Sequence, residues 1–179
     1  MHTLLRTACL ALGLSAFLAA CGDSGPAPSA DAPVQKASKA ASGGACSLLT
    51  REQVDTVIPG NDGGTEDTSL ASLYDDVQTG QCRWLHVEGM DLQFLVLTVY
   101  RAASQAGFDK VDISGRLSMG SPRKLDIGDV SFLDDIDDST IEIQVSKGRN
   151  VFEMNLNAKS AAEKSEPLIE LARAVAAKL

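Results

Sequence analysis

His86, one of two histidines, a run of aspartates and a set of cysteines are the side chains here with chemistry to offer. A histidine acting as general base needs a nucleophile within reach and an acid to orient it. No Gly-x-Ser-x-Gly elbow supplies that nucleophile for His86. A packing or half-exposed place on a strand, beside Trp84 and Glu88, is therefore expected for it. Asp134-Asp135-Ile136-Asp137-Asp138 is the densest charge run. Calcium takes several carboxylates on a flexible loop, but the EF-hand pattern also requires Gly at its sixth position and Glu at its twelfth. Neither is present, so a solvated turn between strands is expected for 134–138, with Asp126 and Asp129 adding ligands only if the fold brings them near. Gly60, Gly63 and Gly64 precede no Lys-Ser/Thr pair, which excludes a phosphate-cradling loop of the P-loop type. Lys147 and Arg149, with Arg101, Lys110, Arg123 and Lys124 elsewhere, form no basic cluster. With 24 acidic against 16 basic residues the net charge is −8, which argues against a nucleic-acid partner.

The cysteines sort by position, and the start of the chain sorts them. Arg6 is the only charged side chain before an apolar run, Ala8 to Ala20, that ends in small residues. That layout is a secretory signal. The run is shorter than the roughly 20 residues a membrane-spanning helix needs. Leu18-Ala19-Ala20-Cys21 resembles the lipobox of bacterial lipoproteins. The resemblance implies cleavage before Cys21, a thioether to diacylglycerol on its sulfur, and acylation, as with palmitate, of its new amino group. Two or three acyl chains would hold the protein stably, at about 0.8 kcal/mol per buried methylene. Gly22 follows the cysteine where sorting rules for inner-membrane retention favour Asp. By that resemblance, the periplasmic face of the outer membrane is the expected address in a Gram-negative cell.

Loss of 1–20 takes Cys9 and Arg6 with it, leaving 15 basic against 24 acidic residues and a charge of −9. With Cys21 committed to lipid, Cys46 and Cys82 remain as an even pair in an oxidising space. They are expected to form a disulfide. Closing that loop would stabilise the fold by roughly 3–4 kcal/mol in the chain-entropy model. A metal pair is the competing reading, but no Cys-x-x-Cys and no second mature histidine support it.

The positions to be held together lie on a short series of elements. Residues 21–45 are a lipidated cysteine and a Gly/Ser/Ala/Pro tether, broken by Pro26, Pro28 and Pro33. Such a coil spans on the order of 25–30 Å. A single domain is expected over 46–179. Thr50-Arg51-Glu52-Gln53 is a capping box with Leu49 and Val54 as its hydrophobic staple, opening a helix that Pro59-Gly60 ends. Residues 61–80 predict a long loop. Cys82 opens a strand, Gly89 turns it, and Leu92 to Tyr100 is apolar on both faces, as in a central strand covered on each side. Ala102 to Val111 predicts a short helix and Val130 the start of another strand. Ile141, Ile143 and Val145 alternate, Lys147-Gly148-Arg149-Asn150 turns, and Phe152, Met154 and Leu156 return. Leu168, Leu171, Ala172, Val175 and Leu179 form the stripe of a closing helix, with Ser165 as its cap ahead of Pro167. The expected fold class is α+β, an antiparallel sheet of about five strands with helices packed on it.

Cys46-Ser47-Leu48-Leu49-Thr50 before a helix, followed by Cys82-x-Trp84 on a strand, resembles a set of uncharacterised envelope lipoproteins common in actinobacteria. Gly128-Asp129-Val130-Ser131-Phe132 is similar to their Gly-Asp-x-Ala-aromatic segment, departing at Ser131, and Lys147-Gly148 to the hairpin after it. The resemblance implies a PsbP-like αβα sandwich in which a disulfide ties the first helix to the first strand. It implies no catalytic residue, because the family carries no agreed activity.

Three functions are then open. One is a non-catalytic envelope lipoprotein that holds the bilayer through Cys21 and binds an envelope protein, cell-wall polymer or small ligand, with no cofactor. The second is a hydrolase using acids such as Glu88, Asp129 or Asp134, which would need two carboxylates in a cleft, one with a raised pKa. The third is a metal carrier, which would need converging aspartates. The cysteine assignment predicts no free thiol in the denatured mature protein; a thiol titration that finds Cys46 and Cys82 reactive would overturn it.

Overall fold

The computed structural model describes residues 44–69, 74–113 and 122–179. The predicted signal, Cys21 and the tether up to residue 43 lie outside the described residues.

The chain enters through a 3₁₀ turn, Ala45–Leu48, and then a one-turn helix, α1 (Arg51–Val54). The capping box is present. Thr50 Oγ1 accepts from the Gln53 amide at 3.3 Å, and Gln53 Oε1 accepts from the Thr50 amide at 2.9 Å. The helix stops sooner than its apolar stripe does: Val57 and Ile58 are buried in the turn that follows it. Asn61, also buried, closes that turn, its amide donating to Asp55 Oδ1 at 2.7 Å and to the Ile58 carbonyl at 3.2 Å.

Then come strands β1 (Thr65–Asp67), β2 (Val77–Glu88) and β3 (Asp91–Ala102), helix α2 (Gln105–Val111), and strands β4 (Arg123–Lys124), β5 (Val130–Asp137), β6 (Thr140–Lys147) and β7 (Asn150–Asn157). A second 3₁₀ turn, Ala161–Lys164, leads into α3 (Ser165–Ala176). The strands form one antiparallel sheet in the order β1-β2-β3-β7-β6-β5-β4.

Alternation explains the core. Cys82 and Trp84 pair with Leu97 and Leu95, which pair with Met154 and Leu156, which pair in turn with Ile143 and Ile141. All eight side chains are buried on one face. The 3₁₀ turns, α1 and α3 lie over that face, α3 contributing Leu168, Leu171, Ala172 and Val175. Gly64, at φ +90°, lies against Trp84; a Cβ there would meet the indole nitrogen at 2.5 Å.

The expectation of about five strands in an αβα sandwich is overturned. There are seven strands, and the helices are few, short and not arranged as two flanking layers. Among the described residues the second face carries only the seven-residue α2, whose small cluster of Val77, Val111, Ile113 and Val151 covers one end. Phe94, Val96 and Tyr100, read as evidence of cover on both sides, are half-buried on that face. The extra strands are short edge pieces of exposed residues, three in β1 and two in β4. They are held by backbone pairing and show no apolar alternation. The expected loop 61–80 also conceals the first four residues of β2, Val77 to Gly80, which pair with Ala102 to Val99. Ser165 is the first residue of α3 and not its cap, and Pro167 lies in the first turn, where a missing amide costs nothing.

The Cys46–Cys82 disulfide forms, joining the first 3₁₀ turn to β2 with 4.9 Å between the Cα atoms. Cys46→Ala with Cys82→Ala is expected to lower stability by about 3–4 kcal/mol. Urea unfolding checks this; a loss below about 1 kcal/mol would show that packing alone seats the turn.

Candidate functional site

The chemically capable residues are dispersed. His86 lies on the helix-bearing face, its ring 26% exposed, with Nδ1 3.2 Å from the Gly60 carbonyl and Nε2 3.9 Å from Glu88 Oε2. Contact with a carbonyl requires the proton on Nδ1, so the ring fastens the Pro59-Gly60 turn to β2. Among the described residues it bonds to no hydroxyl or thiol.

The acids named for a hydrolase do not meet. Glu88 is at the β2–β3 turn, whereas Asp129 is at the opposite end of the sheet, where its Oδ2 accepts from the Gly148 amide at 2.6 Å. Asp129 works with its neighbour: Gly128, at φ +64°, brings the backbone so close that a Cβ would meet the Ser146 carbonyl at 2.5 Å. Asp134 pairs with Glu142 across β5 and β6, on the face opposite the main core. Ser131, the departure from the family pattern, is buried and bridges a bend: its Oγ donates to the Leu125 carbonyl at 3.1 Å and accepts from the Ile127 amide at 3.2 Å.

The aspartate run is not a turn. Asp134 to Asp137 form the end of β5, with a register shift between Asp135 and Asp137, and only Asp138-Ser139 turn. Asp137 Oδ1 accepts from both the amide and the hydroxyl of Ser139, which holds its carboxyl below the usual range. Among the described residues no three His, Cys, Asp or Glu side chains converge to hold a metal ion, Asp126 included.

Two polar devices escaped the sequence. Asp76 accepts from Lys110 at 2.6 Å and from the Ser104 hydroxyl at 3.0 Å, fixing α2 against the start of β2. The Lys110 ammonium depresses the Asp76 pKa, and Asp76 raises that of Lys110. The three residues are separated by up to 34 positions, and no spacing announces the contact. Lys164 donates to the Val57 carbonyl at 2.6 Å and to Gln93 at 3.3 Å; burial pushes its pKa down.

What does gather is apolar surface. Among the described residues the exposed large apolar side chains are Tyr74, Val87, Met90, Leu92 and Ile136. Four of these five lie at one end of the sheet, where the β2–β3 and β5–β6 hairpins turn. Val87 (64% exposed) faces Leu92 (50%) across the hairpin, with Met90 fully exposed at its tip. Half-buried Leu85 and Phe94 extend this pair inward along the less-covered face. Ile136 (54%) is three strands away, about 14 Å at ordinary strand spacing. Single exposed apolar residues are ordinary; here four stand at one end of the sheet. The signal was present in Val87-Glu88-Gly89-Met90-Asp91-Leu92, three large apolar residues around a turn glycine.

No family model, curated protein or solved structure matches the chain. No described helix is long and apolar enough to cross a membrane.

The Asp76–Lys110 pair yields a pH prediction. Asp76 has a depressed folded pKa, so its stabilisation is present above the unfolded carboxylate pKa and is lost as pH falls through the folded value. Asp76→Asn should therefore lower the urea midpoint at pH 7, and the difference should shrink as the pH falls below the ordinary aspartate pKa and Asp76 takes up its proton. A difference that persists undiminished in acid would assign the loss to packing.

Proposed function

We propose that the chain is a lipid-anchored envelope protein whose folded unit acts as a non-catalytic binding module. The binding reading rests on the apolar residues exposed at the hairpin end, Val87, Met90, Leu92 and Ile136.

Anchoring is supported by the apolar run to Ala20, by Leu18-Ala19-Ala20-Cys21 and by the polar stretch after it. The Cys46–Cys82 disulfide supports export, since such bonds persist in oxidising compartments. Gly22 after the cysteine favours the outer membrane of a Gram-negative cell. The partner classes in view are an envelope protein, a cell-wall polymer or a small ligand, and the breadth of the hairpin end suits a macromolecule better than a small ligand.

Mass spectrometry of the purified protein should find Cys21 as its first residue, carrying diacylglycerol. Cys21→Ala should abolish the modification and release most of the protein from membranes. Unmodified Cys21 with undiminished membrane retention would refute anchoring. A photo-crosslinker at Met90 should trap an envelope component in the anchored protein more efficiently than one at Asp109. Absence of adducts from both positions would refute the binding reading.

A further inference from the structure

The charge around the exposed apolar set narrows the partner. Glu88 and Asp91 flank Met90, and Asp135, Asp137 and Asp138 flank Ile136; all five are exposed. Two lysines stand near them: Lys164, which donates to the Val57 carbonyl and Gln93 and whose charge Asp91 faces, and exposed Lys159; the five carboxylates still outnumber the two cations. The hairpin end is therefore apolar at two points, each flanked by acids, with Lys159 following the strand between them.

We infer that this end receives a basic amphipathic segment of a partner protein, one carrying Lys or Arg among large apolar side chains. The inference rests on the binding-module reading above and adds the chemistry of the partner. Apolar residues of the segment would cover Val87, Met90, Leu92 and Ile136, while its cations answer the surrounding carboxylates. Apolar contact supplies the affinity, and the opposite charges supply approach rate and selectivity. Other occupants fit less well. A second copy in a two-fold dimer would bring the same acidic end against itself. A bilayer would have to receive Glu88 and Asp91 with Met90, and anionic head groups would repel all five acids.

The test uses the full chain in phosphatidylcholine nanodiscs, with empty discs as blank, and a dye-labelled peptide alternating lysine and leucine. That peptide should bind at least roughly tenfold more tightly than one with glutamate for lysine, and more weakly as salt rises. Met90→Ser with Leu92→Thr should weaken binding at least roughly tenfold. Asp135→Asn, Asp137→Asn and Asp138→Asn together should weaken it about threefold or more and flatten the salt dependence. Asp75→Asn, Asp109→Asn and Asp126→Asn, an equal charge change at the other end, should alter it less than about twofold. Circular dichroism of each variant confirms folding.

Equal binding of the glutamate peptide, or equal weakening by the distal triple variant, would overturn the inference. So would a self-association, or a binding of the Cys21→Ala chain to phosphatidylcholine or phosphatidylglycerol vesicles, that Met90→Ser removes. A Met90 crosslink without preference for the lysine peptide would leave the binding module standing and discard the basic partner.

Discussion

Burial of one side of the sheet is the constraint from which the rest of this fold follows. The row Trp84, Leu95, Leu156 and Ile141, with the row Cys82, Leu97, Met154 and Ile143 beside it, requires cover along most of the strand length. The chain supplies that cover from the segments on either side of the sheet in sequence, the turn and α1 before it and α3 after it. Neither is robust alone: α1 has four residues, and isolated helices below about 12 residues are marginal in water. Each is therefore fastened by a specific bond. The disulfide holds the first turn to β2, and Lys178 and Lys147 donate to the Leu48 and Ala176 carbonyls at 2.7 and 2.6 Å. The lysines satisfy carbonyls that a helix or turn end leaves unpaired, joining covering elements to each other and to the sheet.

The same constraint explains which parts of the fold were legible. Ile141, Ile143, Val145 and Phe152, Met154, Leu156 alternate because one side of each strand is fully buried and the other is not, and both strands match their expected spans closely. The capping box was readable because its reciprocal bonds join residues three apart. β1, β4 and the opening of β2 were not readable, since edge strands and strand ends bury little and carry no pattern. Leu92 to Tyr100 misled for the converse reason. Its second face is apolar enough to resemble a covered one, yet Phe94 and Val96 get partial shelter from side chains beside them, and α2 reaches only the far end.

The candidate site was legible in its parts and not in its arrangement. His86 and the acids were visible as residues, but their roles come from contacts across long stretches of chain: His86 with Gly60, Asp129 with Gly148, Asp76 with Lys110. Each of those groups is spent on holding a turn or a short helix in place. That use suits a protein with little helix and many connections, where polar side chains must pair the backbone groups that regular structure leaves over. Residues 134–138 read as a turn because their four carboxylates suggest solvent. Carboxylates at the exposed end of a strand near the sheet edge are equally at home, because like charge there discourages pairing with another chain's edge.

That last point bears on the hairpin end as a whole. An end that exposes Val87, Met90, Leu92 and Ile136 without charge would invite indiscriminate association between copies, each presenting the same apolar points. The five exposed acids around those points act against it, since two such ends repel on approach. The repulsion is selective in its effect. It falls on copies of the chain and on anionic surfaces, and it turns to attraction for a partner of opposite charge. In the proposed binding module apolar exposure and acidity would therefore be one device, the first making contact worthwhile and the second deciding with whom.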